Sequence, residues 1–551
     1  MKKVIAMIIS GILIVSLTAC SGSGSGSSAG SAETESAGVS GTTASEVTAE
    51  VQTTAEETEA AESLRTVLPS ENWELHRGYS AEGYESDVEY YSLERVVYCA
   101  SPVDEAHQIM NIYVPACYMK EDENGVSIDP DGSFSGNEVN YSAEDAPVIY
   151  LNTIAGFGQA EPADIESGRQ GHAAGSYAQL IENGFVLVTV GARGMGKEGE
   201  EINTSGLIPA GIVDLKAGIR FLRAHDAELA GSSEKIVTIG SSSGGGFSAL
   251  LGASGNSPVY EPFLEEIGAE EASDSVWASV VYCPVTTLEI ADGGYWWQNG
   301  AKTKESLAGE LTRCAVKEFV TVLREQGFDI SEDGYSGEYY EGFRKEFSDI
   351  FNSYIAYCGM NEAEADEFIK AICPDGNWLY INEAGEAEVS SVPEYAFNYW
   401  GDPGSRMAAG VYDSFSGNGG SAESKVYDHK HFSTVLADAF EDILEAYPDA
   451  KKYAESYRSD IDNYLDTADL FEPEKFIRSG ETDMAQHWRF RSGSEDANSV
   501  QSISWYLYQT VLAAGAEDAD YGILYGFAHE TVEYDPLDLV NWINGLDTSS
   551  R

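Results

Sequence analysis

The chain has 551 residues, with 92 Asp and Glu against 32 Lys and Arg, and a net charge of −60. A field of that sign repels phosphate backbones and other polyanions, so nucleic acid is not expected as a partner, whereas neutral or cationic ligands and a soluble surface are. None of the seven cysteines has Cys-x-x-Cys spacing, so zinc-finger chemistry is not indicated, and no metal or other cofactor is expected.

In chain order, Lys2 and Lys3 precede an apolar run from Val4 to Leu17 that is short for a membrane-spanning helix. Leu17-Thr18-Ala19-Cys20 then resembles the lipobox of bacterial lipoproteins. That resemblance implies a signal peptide over 1–19, lipidation of Cys20, and an extracytoplasmic chain anchored to the bacterial cell membrane. Residues 20–62 are Ser, Gly, Ala, Thr and Glu with almost no large apolar side chain. Such a segment cannot bury enough surface to fold and is expected to be a disordered tether. The remainder is too long for one simple core, which suggests a core and a second unit.

Arg95–Cys99 and Gln108–Val114 are predicted strands of an opening hairpin. Pro147–Leu151, Phe185–Val190, the Ile236 strand and Val276–Tyr282 are short, continuously apolar runs, with helical patterns at Tyr177–Glu182 and Ile208–His225 between them. Strands apolar on both faces and alternating with helices predict an α/β fold whose sheet is largely parallel and covered on both sides. After Thr287 the pattern changes to long helices, clearest at Lys304–Gln326 and Tyr340–Ile372. A small hairpin at Trp378–Val389 and a loop-like stretch at Asp402–Lys425 follow. This is too long for a crossover and reads as an inserted domain over 289–475, splitting the core into 63–288 and 476–551. Tyr295, Trp296 and Trp297 at its start are placed either to stack on a ligand ring or to pack the insert on the core. The strand pattern resumes at His487–Arg491, then a helix at Ser499–Ala513, a strand at Tyr521–Leu524 and a helix at Leu537–Ile543.

The chemistry centres on Gly240-Ser241-Ser242-Ser243-Gly244, which joins the Ile236 strand to a helix beginning near Phe247. With 56 glycines in the chain, a Gly-x-Ser-x-Gly match arises by chance on the order of once. Its place between strand and helix is what marks Ser242 as a strained, exposed nucleophile. A serine hydroxyl needs a base to take its proton, and the base needs a group to orient it. In an α/β-hydrolase the order is serine, acid, histidine. His429 and His431 fall inside the insert, and His487 precedes the candidate acid. His529 follows the last strand and is the expected base. The turn after the His487 strand offers Glu495 and Asp496 as the acid, with Asp496 preferred. Two backbone N–H groups must face the oxyanion. One is expected at Ser243 and the other at Ala155 or Gly156, in the loop after the Val148 strand.

Several strings resemble the bacterial tannases, or tannin acyl hydrolases. They are Asn152-Thr153, Ile212-Val213-Asp214-Leu215-Lys216, Gly252-Ala253-Ser254-Gly255-Asn256-Ser257, Tyr282-Cys283-Pro284, Trp488-Arg489-Phe490-Arg491, and Asp538-Leu539 with Trp542-Ile543. The resemblance implies an α/β-hydrolase core with a mainly helical lid, cleaving galloyl esters without a cofactor. It makes Ser242 the nucleophile, Asp496 the acid and His529 the base. In that family a lysine and a glutamate from the lid, and an aspartate two residues past the acid, hold the ring hydroxyls. Here Glu423 matches the glutamate, Ala408 stands at the lysine's place and Asn498 at the aspartate's. A buried site short of polar partners should bind a polyhydroxylated ring less well and favour a less hydroxylated one. The expected partner is therefore a small aromatic ester. A feruloyl esterase or other carboxylesterase would share every catalytic residue, and a non-catalytic extracytoplasmic binding lipoprotein would need none of them.

Overall fold

The computed structural model describes residues 72–81, 84–137, 139–165, 175–195, 204–300, 306–400, 413, 430–535 and 537–549. The lipidation candidate Cys20, the tether, Ala408 and Glu423 lie outside them.

The chain opens with β1 (Glu74–Ala81), β2 (Tyr84–Val97) and β3 (Ile109–Pro115), an antiparallel meander. Two small hairpins follow, β4 (Met119–Asp122) with β5 (Gly125–Ile128), and β6 (Ser133–Gly136) with β7 (Val139–Ser142). Then come β8 (Pro147–Asn152), α1 (Gly175–Glu182), β9 (Val186–Val190), α2 (Ala210–Ala224), β10 (Ser232–Ser241), α3 (Ser243–Ala253) and β11 (Ala278–Tyr282).

The insert comprises α4 (Leu288–Asn299), α5 (Leu307–Glu325), α6 (Glu338–Tyr357), α7 (Glu362–Ile372), the hairpin β12 (Leu379–Ile381) with β13 (Ala387–Val389), then α8 (Thr434–Asp442), α9 (Lys451–Ala468) and α10 (Pro473–Ser479). The core closes with β14 (His487–Gly493), α11 (Gln501–Ala513), β15 (Asp518–Leu524) and α12 (Leu537–Ser549).

Nine strands form one sheet in the order β1-β2-β3-β9-β8-β10-β11-β14-β15. Every pair from β9 to β15 is parallel, and β3 meets β9 antiparallel. All residues of β8, β9, β11 and β14 are buried, as expected of parallel strands covered on both faces. From β8 the chain steps outward to β9, and from β10 it steps the other way to β11, β14 and β15. The direction of winding reverses between β8 and β10, and the crevice beyond their carboxyl ends is where an open α/β sheet places its site.

The expected opening hairpin is present, but β2 starts eleven residues earlier than Arg95, and β1 precedes it. Acidic residues at Glu85, Asp87 and Glu89 hid that start, because they occupy the exposed face of an alternating strand. At Arg95 (φ 58°) the register with β3 shifts, and the Arg95 N–H turns to Asn111 Oδ1 at 2.8 Å. The predicted helix Tyr340–Ile372 is two helices. Gly359 (φ 61°) ends the first, and Asn361 caps α7 with a reciprocal bond to Glu364.

The insert is locked to the core. Gln298 of α4 donates to Gln501 Oε1 (2.6 Å) and accepts from the Ser502 N–H (2.8 Å) on α11. On α6, Phe351 and Tyr354 pack against Tyr525, just past the edge strand β15, which covers an otherwise exposed edge. Trp297 is 1% exposed, donates to Gly334 O at 2.8 Å and stacks on Phe343. Of the two roles expected for it, it takes the packing one.

Candidate active site

The strand β10 delivers the chain to Ser242, which sits at φ 62°, ψ −128° before α3 begins. A non-glycine residue in that region is strained, and such strain gathers at functional sites. The surrounding bonds hold it in place. The Ser242 N–H donates to Tyr282 O (3.1 Å), and the Ser242 carbonyl accepts from Val285 N (3.0 Å) and Gly246 N (3.1 Å). The glycines of the motif are required by space. A Cβ on Gly240 would lie 2.1 Å from Gly244 O, and one on Gly244 would lie 2.6 Å from Asn152 Oδ1.

The loop after β8 folds onto this turn. Ile154 O accepts from the Gly244 N–H (3.0 Å) and from Ser243 Oγ (3.2 Å), while the Phe157 N–H donates to Ser243 Oγ (3.1 Å). Asn152 donates to Ile239 O (3.2 Å) and Gly244 O (3.1 Å), tying the end of β8 to the elbow. Ser243 is the first residue of α3, so its N–H has no acceptor within the helix. Ala155 and Gly156 are exposed on the same loop, and among the described residues their N–H groups have no backbone acceptor. The expected Ser243 donor and its two alternative partners, Ala155 and Gly156, thus lie on two adjoining segments.

Asp496 and His529, the expected acid and base, meet from neighbouring strands. Asp496 lies in the turn after β14 and is 2% exposed; His529 lies in the loop after β15. His529 Nδ1 is 3.0 Å from Asp496 Oδ1 and 3.1 Å from Oδ2. Asp496 also accepts from the N–H groups of Asn498 (2.8 Å) and Ser499 (3.0 Å) and from Ser499 Oγ. Burial opposes its charge, but the hydrogen bond and charge of His529 and the bonds from Ser499 outweigh it and hold the carboxyl below its ordinary value. Glu495, the other carboxylate of the turn, is exposed and faces Tyr399, whose hydroxyl is 3.4 Å away. Asn498 is exposed beside Asp496, which it contacts through its backbone.

Between elbow and dyad lies Cys283. Its N–H donates to Arg491 O (2.8 Å), its Sγ is 3.8 Å from Ala528 O, and it is fully buried. Burial, and then the charge of Asp496, push its thiol well above the ordinary range, so it stays protonated. No hydrogen bond joins the Ser242 hydroxyl to His529 among the described residues. Strands β11 and β14 lie between β10 and β15; Ser242 is bonded to Tyr282 at the end of β11, and Cys283 Sγ lies within 4.8 Å of the His529 and Asp496 ligand atoms.

Two features of this site had no local signal in the sequence. Glu533 accepts from Tyr282 OH (2.9 Å) and from Arg489 Nε (2.9 Å) and Nη2 (2.8 Å), bracing β11 against β14 from a loop. The closeness of Cys283 to the dyad follows only from strand order, although Tyr282-Cys283-Pro284 was a marked string.

Superposition of the whole architecture decides the fold. A Fusobacterium nucleatum tannase matches at a TM-score of 0.67 and 24% identity, over 88% of this chain and 99% of that one. The fold is that of the tannases. The tannin acyl hydrolase of Lactobacillus plantarum matches at a TM-score of 0.67 and 23% identity, again over 88% and 99%. A tannin acyl hydrolase in complex with ethyl gallate matches at 0.65 and 23%, with the same coverage. The model of the BD-FAE family matches residues 154–319, from the loop after β8 into α5. No curated protein matches the sequence. On this α/β-hydrolase fold a mainly helical insert lies between β11 and β14.

Proposed function

We propose that the chain is a serine esterase that hydrolyses aromatic carboxylic esters of the galloyl type. The observation that carries it is the Asp496–His529 dyad beyond the carboxyl ends of β14 and β15, on the same edge of the sheet as a serine held at φ 62° on the strand-to-helix elbow after β10. The fold and the BD-FAE match support the same class, because the structural neighbours include a tannin acyl hydrolase bound to ethyl gallate.

In this scheme Ser242 Oγ attacks the ester carbonyl while His529 Nε2 takes its proton. Asp496, bonded to Nδ1, keeps the ring in the tautomer that leaves Nε2 free and stabilises the imidazolium that forms. The N–H of Ser243, with that of Ala155 or Gly156, binds the oxyanion. His529 returns the proton to the leaving alcohol, and a water activated by His529 releases the acid. Serine–histidine contacts of this kind are often long until substrate binds.

A second reading is favoured by the BD-FAE match, a feruloyl-esterase-like family, and by Asn498 and Ala408 at positions where tannases carry charge. It keeps the triad and changes the acyl group. Values of kcat/KM for ethyl gallate and ethyl ferulate test both. Preference for gallate supports the first reading, preference for ferulate the second, and no turnover of either contradicts both in favour of a binding protein. We further propose that Cys20 is lipidated and tethers the enzyme outside the cytoplasm. Incorporation of labelled palmitate, lost in Cys20→Ala, tests this.

A further inference from the structure

We propose that Cys283, Asp496 and His529 form a binding site for a soft divalent cation, zinc or cadmium, whose occupancy switches hydrolysis off. The three side chains come from the carboxyl ends of β11, β14 and β15, consecutive strands of the sheet. One ligand atom from each, Sγ, a carboxylate oxygen and a ring nitrogen, lies within 4.8 Å of the others. Tetrahedral zinc, with bonds of about 2.0 Å to N and O and about 2.3 Å to S, places ligand pairs about 3.2–3.7 Å apart. From at most 4.8 Å, the longest edge must therefore shorten by about 1.1–1.6 Å at most, within the reach of side-chain rotation.

Placement favours this use of Cys283. The ester hydrolysis scheme assigns its thiol no proton transfer, and its Sγ, 3.8 Å from Ala528 O, also faces the Asp496 carboxylate and the backbone of Gly493 and Glu530. Its backbone is fixed by φ 42° and the bond to Arg491 O. His529 is partly exposed and offers the way in; Cys283 and Asp496 are buried. A thiolate, an imidazole and a carboxylate select borderline-soft cations over calcium or magnesium. On binding, metal–sulfur, metal–nitrogen and metal–oxygen bonds form, the thiol proton passes to solvent, the ring proton moves from Nδ1 to Nε2 so that the imidazole stays neutral, and no electron is transferred. A metal on Nδ1 replaces the bond to Asp496 and leaves His529 unable to serve Ser242. This last consequence rests on the esterase reading; the binding site does not.

Equilibrium dialysis of the full chain against Zn2+ and Cd2+, with Cys283→Ser and Asp496→Asn in parallel, tests the site. The native chain is expected to hold one more tight equivalent than either variant, with a thiolate-to-cadmium absorption band that Cys283→Ser lacks. Ester hydrolysis by the native chain should fall in proportion to that occupancy and return with EDTA. Cys283→Ser, scored against its own metal-free rate, should need at least tenfold more metal. Equal tight binding by native and variants, equal inhibition of native and Cys283→Ser, or equal inhibition by Mg2+ would overturn the proposal. A native chain that binds the extra equivalent but hydrolyses no ester without metal leaves the site standing and removes the esterase reading. If Cys283→Ser does not fold, Asp496→Asn supplies the same comparison of equivalents.

Discussion

His529 Nδ1 lies 3.0 Å from Asp496 Oδ1, although 33 residues separate them in the chain. The contact exists because β14 and β15 are parallel neighbours, so the loops at their carboxyl ends are adjacent. Asp496→Asn keeps the size of the side chain but presents an amide to Nδ1 and favours the wrong tautomer. With an ester substrate, kcat is expected to fall by about 10³–10⁴-fold with little change in KM. A loss under tenfold would remove Asp496 from the reaction.

Gly493 makes that closeness possible. A Cβ there would lie 2.2 Å from Phe527 O and 2.3 Å from Ala528 O, both backbone atoms of the loop that carries His529. Gly493→Ala must push the histidine loop away from the Asp496 turn. It is expected to lower kcat by about 10²-fold, since a displacement of about 1 Å costs that much in a positioned site. Circular dichroism should show the fold retained, and a crystal structure should show the loop moved.

How far this site is legible from residues alone differs by element. Ser242, the strands on either side and the helix after it are written locally, in a β-branched run, close-set glycines and an apolar helix. The preference for His529 came from chain order, and that for Asp496 also from family likeness, because both depend on which strands become neighbours. The early start of β2 was hidden because its exposed face is acidic, and acidic residues in this chain are too common to mark alternation. The break at Gly359 was hidden because helical periodicity runs on through a single turn. Glu533 beneath Tyr282 and Cys283 beside the dyad are consequences of sheet order, for which no local pattern exists.

Buried charge under the elbow's neighbouring helix should dominate stability. Lys216 Nζ pairs with Asp274 at 2.7 Å and donates to Ser254 O at 2.6 Å, both side chains at most 1% exposed. Arg220 shares Asp274. Asp274→Ala leaves buried Lys216 without a carboxylate, while Arg220 keeps only Glu261. The expected loss is about 3–5 kcal/mol in chemical denaturation, against a much smaller loss for the exposed pair Lys451–Glu455.

Glu346 gives the pH dependence a sign. Burial, and then the nearby charge of Asp349, raise its carboxyl to about 7, with Lys345 and Arg491 opposing. In the unfolded chain it ionises near the ordinary value of 4.5. Between those values the folded state holds a proton that the unfolded state has released, so the contribution is full in acid and declines as pH rises toward 7. Thermal melts at about pH 5 and about pH 8 should show a smaller drop in Tm for Glu346→Gln than for the native chain. An identical drop would contradict this.

The central claim is that Ser242 is the nucleophile, and covalent labelling measures it directly. Incubation with a fluorophosphonate followed by peptide mass spectrometry should place one adduct on Ser242. Ser242→Ala should take up none and hydrolyse no aromatic ester above background. A native chain that stays unlabelled while folded, or an adduct that persists in Ser242→Ala, would contradict the account.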